Sequence, residues 1–177
     1  DMREPIILNV LGDHNVSNAL AAIALGLAND VPMETIKRQL ATFSGQRQNL
    51  LKMHGYTVID DAYNASPDSM KAGLKILSDY QDSGRKVAVL SDMLELGPDS
   101  PDYHREVGEF LGTADITDLY ITGTLSKEYA KAAQKKNPSL KTKWFASNHD
   151  LISYLKNYLS EHDVVLIKAS NGMKLDE

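Results

Sequence analysis

The sequence predicts an α/β fold: a three-layer α/β/α sandwich around a mostly parallel, Rossmann-like sheet, preceded by a helical segment. Two observations carry this expectation. First, short apolar runs alternate with amphipathic stretches: Tyr56 to Ile59, Lys86 to Leu90, Leu119 to Thr122, Lys143 to Phe145 and Val164 to Ile167. Several of these runs are nearly continuous in apolar character, as strands buried on both faces are. Second, polar clusters gather where runs end: Asp60-Asp61, Ser91-Asp92, Thr122-Gly123 and Lys168-Ala169-Ser170. Open α/β sheets bind ligands at the C-terminal ends of their strands.

The elements follow in order. Residues 14–29 place Val16, Leu20, Ile23 and Leu27 at helical spacing, with Asp13 or Asn15 as cap; Leu20 to Ala28 is Ala- and Gly-rich and reads as a buried helix. Pro32, Met33, Ile36, Leu40 and Phe43 predict a second, shorter helix. Ser44-Gly45-Gln46 breaks the pattern and sets the expected boundary between residues 1–45 and 46–177. Beyond it, Leu50 to Met53 and Tyr56 to Ile59 flank the turn His54-Gly55. Helices are expected over Ser69 to Tyr80 (Met70, Leu74 and Leu77 on one face), 101–112 and Leu125 to Lys136. Another follows from the cap Ser147 through Leu159, with Leu151, Tyr154, Leu155 and Tyr158 inward. The opening Asp1 and the closing Gly172 to Glu177, which reads as a helix just begun, suggest a piece of something longer.

Composition narrows the function classes. The 177 residues carry 19 Lys and Arg against 24 Asp and Glu, a net charge of −5. The basic residues are scattered along the sequence, so no nucleic-acid partner is expected. The absence of cysteine removes disulfides, thiolate catalysis and thiolate metal sites. No stretch approaches the roughly 18 apolar residues of a membrane span. The N-terminal residues lack a signal-peptide layout. A cytoplasmic protein, and a monomer, is the expectation.

Four segments carry candidate chemistry. His14 and Asn18 lie four apart, on one face near a helix N-terminus. An Asn suits adenine, offering an acceptor and a donor to N6 and N7; the same residues also suit plain capping. Arg47, just past the boundary, has a fork suited to phosphate or is a solvated charge. Asp60 and Asp61, at a strand end, suit a general base, a metal or ribose hydroxyls. The turn that follows, with Asn64, Ser66 and Pro67, also satisfies its own backbone. Lys168 to Ser170 stand where a strand feeds a helix N-terminus, a natural carboxylate site, although a rim lysine fits too. His104 is either a packed helical residue or a substrate contact.

The strings themselves are more specific. Gly12 to Ala22 resembles the H-N-x-x-N-x-x-A-A segment that ends the central ATP-binding domain of Mur ligases. Tyr63-Asn64-Ala65-Ser66-Pro67-Asp68-Ser69-Met70 resembles the signature of their D-alanyl-D-alanine-adding branch. Ser91 to Gly97 resembles its G-D-M-x-E-L-G, with Ser91 for the first Gly, and His104 and Gly108 follow at the family's spacing. Val165 to Met173 resembles V-L-V-K-G-S-R-G-M, with Ala169 for Gly and Asn171 for Arg.

The resemblance covers nearly the whole chain in the right order. It implies the end of a central ATP-binding domain (residues 1–45) and a Mur ligase C-terminal domain (46–177). It further implies an ATP- and Mg²⁺-dependent ligase joining D-alanyl-D-alanine to UDP-N-acetylmuramoyl-tripeptide through an acyl phosphate. His14, Asn15, Asn18, Arg47, Asp60 and Asp61 would then face ATP, with Asp61 as the ribose carboxylate. Tyr63, Asn64, His104, Lys168, Ser170 and Asn171 would face the substrate. The chain contains no G-x-x-x-x-G-K-[ST] phosphate loop, and the metal ligands and carbamylated lysine that the resemblance implies for the central domain are absent from it too, so none of its residues is expected to be catalytic or to bind metal. The chain alone is therefore expected to be inactive. A free-standing binding module derived from such a ligase, and another ligase of the superfamily such as folylpolyglutamate synthase, stand as alternatives.

Overall fold

The computed structural model describes residues 5–10, 12, 14–43 and 49–175, with only the backbone of His14. The chain divides into two compact units, Asp1–Gln48 and Asn49–Glu177.

The first unit holds helices α1 (His14–Ala28) and α2 (Met33–Thr42). They join through Asp30, whose φ of 58° turns the chain, and Val31 N–H donates back to Gly26 O at 3.0 Å. Gly26 lets the helices approach: a Cβ there would meet Ile36 Cδ1 at 2.8 Å. Ala19 and Ile36 are buried, but Val16, Leu20, Leu25 and Leu27 are exposed. The buried helix expected over Leu20 to Ala28 is thus mostly uncovered. Its leucines point in more than one direction, and a single partner helix covers only one stripe.

In the second unit the sheet contains β1 (Asn49–Met53), β2 (Tyr56–Asp60), β3 (Lys86–Leu90), β4 (Asp118–Ile121), β5 (Lys141–Trp144) and β6 (Val164–Lys168), in the spatial order β1-β2-β6-β3-β4-β5. All neighbouring pairs are parallel except β1–β2. That pair closes at His54-Gly55, whose φ values of 48° and 88° are those of a tight two-residue hairpin. Every residue of β1 is exposed, including Leu50, Leu51 and Met53.

Helices α3 (Pro67–Asp79), α4 (Ser100–Leu111), α5 (Lys127–Lys136) and α6 (Asn148–Tyr158) connect the strands. Ser66 and Ser69 cap α3 reciprocally, and Pro67 opens it without wasting a donor. Ser147 Oγ caps α6 by accepting from Asp150 N–H at 3.1 Å.

Alternation along the strands divides the core. Val87, Val89, Tyr120 and Val165 pack with Phe145 and with Leu151 and Leu155 of α6. Leu166, one residue on, faces Gly73 of α3 instead. Gly108 brings α4 onto α5, where a Cβ would sit 2.5 Å from Tyr129 O. The architecture is the expected α/β/α sandwich. In place of the helix expected from Gly172 there is one 3₁₀ turn, Asn171–Met173, stopped by Lys174 at φ 50°.

Candidate functional site

The C-terminal ends of β2, β6 and β3 lie side by side, in register at Asp60↔Ile167 and Leu90↔Lys168. The loops leaving these ends form the candidate site.

After β2 the chain turns at once. Asp60 Oδ1 accepts from Ala62 N–H at 3.3 Å, and Asn64 Oδ1 accepts from Ala65 N–H at 2.8 Å. Asp61 is 7% exposed. Lys168, at the end of β6 and only 2% exposed, crosses into this loop. Its ammonium lies 2.8 Å from Asp61 Oδ2 and donates to Asn64 O at 2.9 Å. Tyr63, by contrast, is 57% exposed on the loop's outer side.

The β3 exit is fixed from three directions. Asp92 Oδ2 accepts from Thr124 N–H (2.9 Å) and Oδ1 from Ser126 N–H (2.7 Å), so its carboxylate occupies the loop ahead of α5. Leu94 N–H donates to Ser170 Oγ at 2.9 Å, joining the β3 and β6 exits. Met93 N–H donates to His104 Nε2 at 3.0 Å, and His104 Nδ1 lies 2.7 Å from Ser100 O. This geometry assigns the neutral tautomer with the proton on Nδ1. The ring is completely buried, 4.8 Å from the Tyr129 ring. His104 therefore props up the Met93 backbone from within and presents neither nitrogen to solvent. Burial, with the Asp92 charge beside it, pushes the Tyr129 phenol well above its usual range. It stays a neutral donor to Ser91 O at 3.2 Å.

Sequence reasoning did not single out Asn148. Thr122 Oγ1 donates to Asn148 Oδ1 at 3.0 Å and lies 3.1 Å from Ser91 Oγ. The Asn148 amide in turn donates to Met173 O (2.9 Å) and Lys174 O (3.0 Å). Thr122 thus links the exits of β3 and β4, and both are tied to that of β6 through Asn148. No motif marks it, because the contact depends on the return of the chain through α6.

The structure gathers Asp60, Asp61, Asn64, Lys168 and Ser170 at these strand ends, while Asn171 is exposed at the start of the 3₁₀ turn. In the first unit, Asn18 donates to Asn15 Oδ1 at 3.0 Å on an exposed helix face. Arg47 and the His14 side chain lie outside the described residues. Among the described residues no group of three or more His, Cys, Asp or Glu side chains is placed to hold a metal ion. Among them, too, no helix is long and apolar enough to cross a membrane.

Comparison with known proteins adds independent findings. The family model described as Mur ligase, glutamate ligase domain, matches residues 46–171. The UDP-N-acetylmuramoyl-tripeptide–D-alanyl-D-alanine ligase of Bacillus subtilis is 37% identical over 171 residues, covering 95% of this chain and 37% of that one. MurF from Acinetobacter baumannii superposes with a TM-score of 0.78 at 30% identity, over 93% of this chain and 36% of that one. The MurF ligase of Thermotoga maritima, solved in complex with ADP, gives a TM-score of 0.73 at 25% identity, over 94% of this chain and 37% of that one. The chain spans little more than a third of the length of these relatives. A family model matched across most of the chain, on a sheet whose strand ends carry the family-like strings, shows that this chain belongs to the Mur ligase family.

Proposed function

We propose that this chain forms part of an ATP-dependent ligase that adds D-alanyl-D-alanine to UDP-N-acetylmuramoyl-tripeptide in peptidoglycan synthesis. In that reading residues 1–45 close a central ATP-binding domain and residues 46–177 form the domain that brings the dipeptide. The acceptor carboxylate takes the γ-phosphoryl group of ATP. The dipeptide amine then attacks the acyl carbon and loses a proton as the C–N bond forms, and the C–O bond to phosphate breaks.

The chain's own residues bind and orient. Asn18, with His14 and Asn15 near it in sequence, would meet the adenine, Arg47 the phosphates, and Asp61, beside Asp60, the ribose. Tyr63, Asn64, Ser170 and Asn171 would line the dipeptide side, with His104 behind them. None of these residues is asked to break or form a bond.

One observation carries the reading. Three family-like strings, far apart in sequence, meet at adjacent strand ends: Lys168 donates to Asn64 O at 2.9 Å and Ser170 Oγ accepts from Leu94 N–H at 2.9 Å. The site of an open α/β sheet is expected there.

The test is phosphate release by the full-length protein with ATP, Mg²⁺ and UDP-N-acetylmuramoyl-tripeptide. Release should depend on D-alanyl-D-alanine. Asp61→Ala should raise the KM for ATP, and Ser170→Ala that for the dipeptide. A lost charge-assisted bond is worth roughly 1.5–3 kcal/mol, about ten- to a hundredfold, and a neutral one such as that of the Ser170 hydroxyl roughly 0.5–1.5 kcal/mol. Release driven by glutamate and a folate would assign a different ligase, and no dipeptide-dependent release would overturn the reading.

A further inference from the structure

The residues implied by the resemblance include Lys168 as a contact for the incoming dipeptide. The geometry points elsewhere: we infer that Lys168 is a positioning residue, whose ammonium clamps the Asp61 carboxylate and the Asn64 turn and does not hold the dipeptide. The role of the clamp in catalysis rests on the reading that Asp61 faces the nucleotide; the clamp itself does not.

The argument begins with donors. A lysine ammonium has three N–H groups and no acceptor. Around Lys168 Nζ stand three oxygens: Asp61 Oδ2 at 2.8 Å, Asn64 O at 2.9 Å and Asp61 O at 3.5 Å. All three belong to one four-residue stretch of the β2–α3 loop. The ammonium's donors are directed inward, and the side chain is 2% exposed. A dipeptide carboxylate arriving from solvent would have to displace partners already in place.

The surroundings are shaped around the pair. Lys168 is held in the sheet, where its own carbonyl accepts from Ser91 N–H at 3.2 Å. Gly73 of α3 lies directly against it. A Cβ at Gly73 would stand 3.2 Å from Lys168 Cδ and 3.6 Å from Asp61 Oδ2. The helix thus leaves out a side chain where the pair passes.

A buried charge whose partner is removed is strongly unfavourable, whereas removal of both charges is much milder. Lys168 therefore fixes where Asp61 stands. It also links the exit of β2 to that of β6, two residues before Ser170.

Two measurements test this. In the 177-residue chain, amide hydrogen exchange across residues 61–66 should rise at least about tenfold in Lys168→Met, the effect of one lost charge-assisted bond. Lys168→Arg, which keeps the charge, should exchange more slowly than Lys168→Met. If Lys168→Met fails to fold, Asp61→Asn/Lys168→Met, with both charges gone, serves instead. Unchanged exchange in this loop would overturn the clamp.

In the full-length ligase, Lys168→Met should raise the KM for ATP about tenfold or more and leave the dipeptide KM within about twofold. Combining it with Asp61→Asn should add little to the larger single effect, because the two act as one unit. A dipeptide-only shift would overturn the inference and leave the nucleotide reading of Asp61 standing. If instead Asp61→Asn leaves the KM for ATP unchanged while the loop loosens in Lys168→Met, the clamp is upheld and the nucleotide reading fails.

Discussion

Arg85 and Asp163 form a two-pronged pair at the end of the sheet away from the candidate site. Arg85 Nε and Nη2 lie 3.2 and 2.6 Å from Asp163 Oδ1 and Oδ2. The same carboxylate accepts from the backbone N–H groups of Arg85 and Ser160, both at 2.9 Å. Each residue immediately precedes a strand, so the pair joins the starting ends of β3 and β6, which are neighbours in the sheet.

The pair makes stability acid-sensitive. Burial alone would raise the Asp163 pKa, but hydrogen bonds from the Arg85 side chain, Ser160 and the Arg85 backbone outweigh it and hold the carboxyl below its usual range. A depressed folded-state pKa contributes stability above the unfolded value of about 3.9 and loses it as pH falls through the folded value. Asp163→Asn should therefore cost about 3 kcal/mol at pH 7, and progressively less in acid. Urea unfolding of both proteins at neutral and acid pH measures the difference. A cost independent of pH would remove the linkage.

Gly123 offers a test of the loop ahead of α5. Its φ is +94°, and a Cβ there would collide with the Asp92 carboxylate that holds Thr124 and Ser126. Gly123→Ala should destabilise by about 2 kcal/mol or more, through backbone strain and displacement of Asp92. Gly97, at φ +70° with nothing within 4 Å of its Cβ position, is the control. Gly97→Ala carries strain only and should cost less. Thermal melts of the pair decide the matter; equal losses would mean that the carboxylate contact contributes nothing.

His104 is expected to matter through Met93 and Ser100. His104→Ala strands a buried N–H and a carbonyl and opens a cavity, for a loss of about 2–4 kcal/mol. The readout is the urea midpoint of the chain. Full stability combined with a raised dipeptide KM in the full-length protein would mean that the ring meets substrate directly.

The isolated chain should hydrolyse no ATP and form no peptide bond. It should bind adenine nucleotides weakly, since Asn18, Arg47 and Asp61 would supply only peripheral contacts. Calorimetric titration with ATP and Mg²⁺ tests this. A micromolar Kd, about −8 kcal/mol, would mean that a complete site exists in these residues.

Much of the fold was legible because local rules determine it. Val87 to Leu90 is one unbroken apolar run, and Ser66-Pro67 and Ser147 are explicit helix starts. What local rules cannot supply is direction and partnership. Nothing in Val164 to Lys168 says that β6 lies between β2 and β3, so nothing says that the Lys168 ammonium will meet Asp61. His104 carried a family-like spacing but no sign that both nitrogens are used internally. Leu20 and Leu27 look inward on periodicity, yet periodicity does not reveal whether a neighbouring surface exists to receive them.

The position of β6 also governs the order of assembly. Strand β6 is flanked by β2 and β3, more than seventy residues back in sequence, while β1–β2 and β3–β4–β5 can each pair earlier. During synthesis two partial sheets would therefore await the strand that joins them, each with an open edge. Such edges pair with other chains when left uncovered. A nascent chain stalled before Val164 is accordingly expected to be a substrate for chaperones or for aggregation, and emergence of residues 164–168 from the ribosome should coincide with a single cooperative gain in protease resistance.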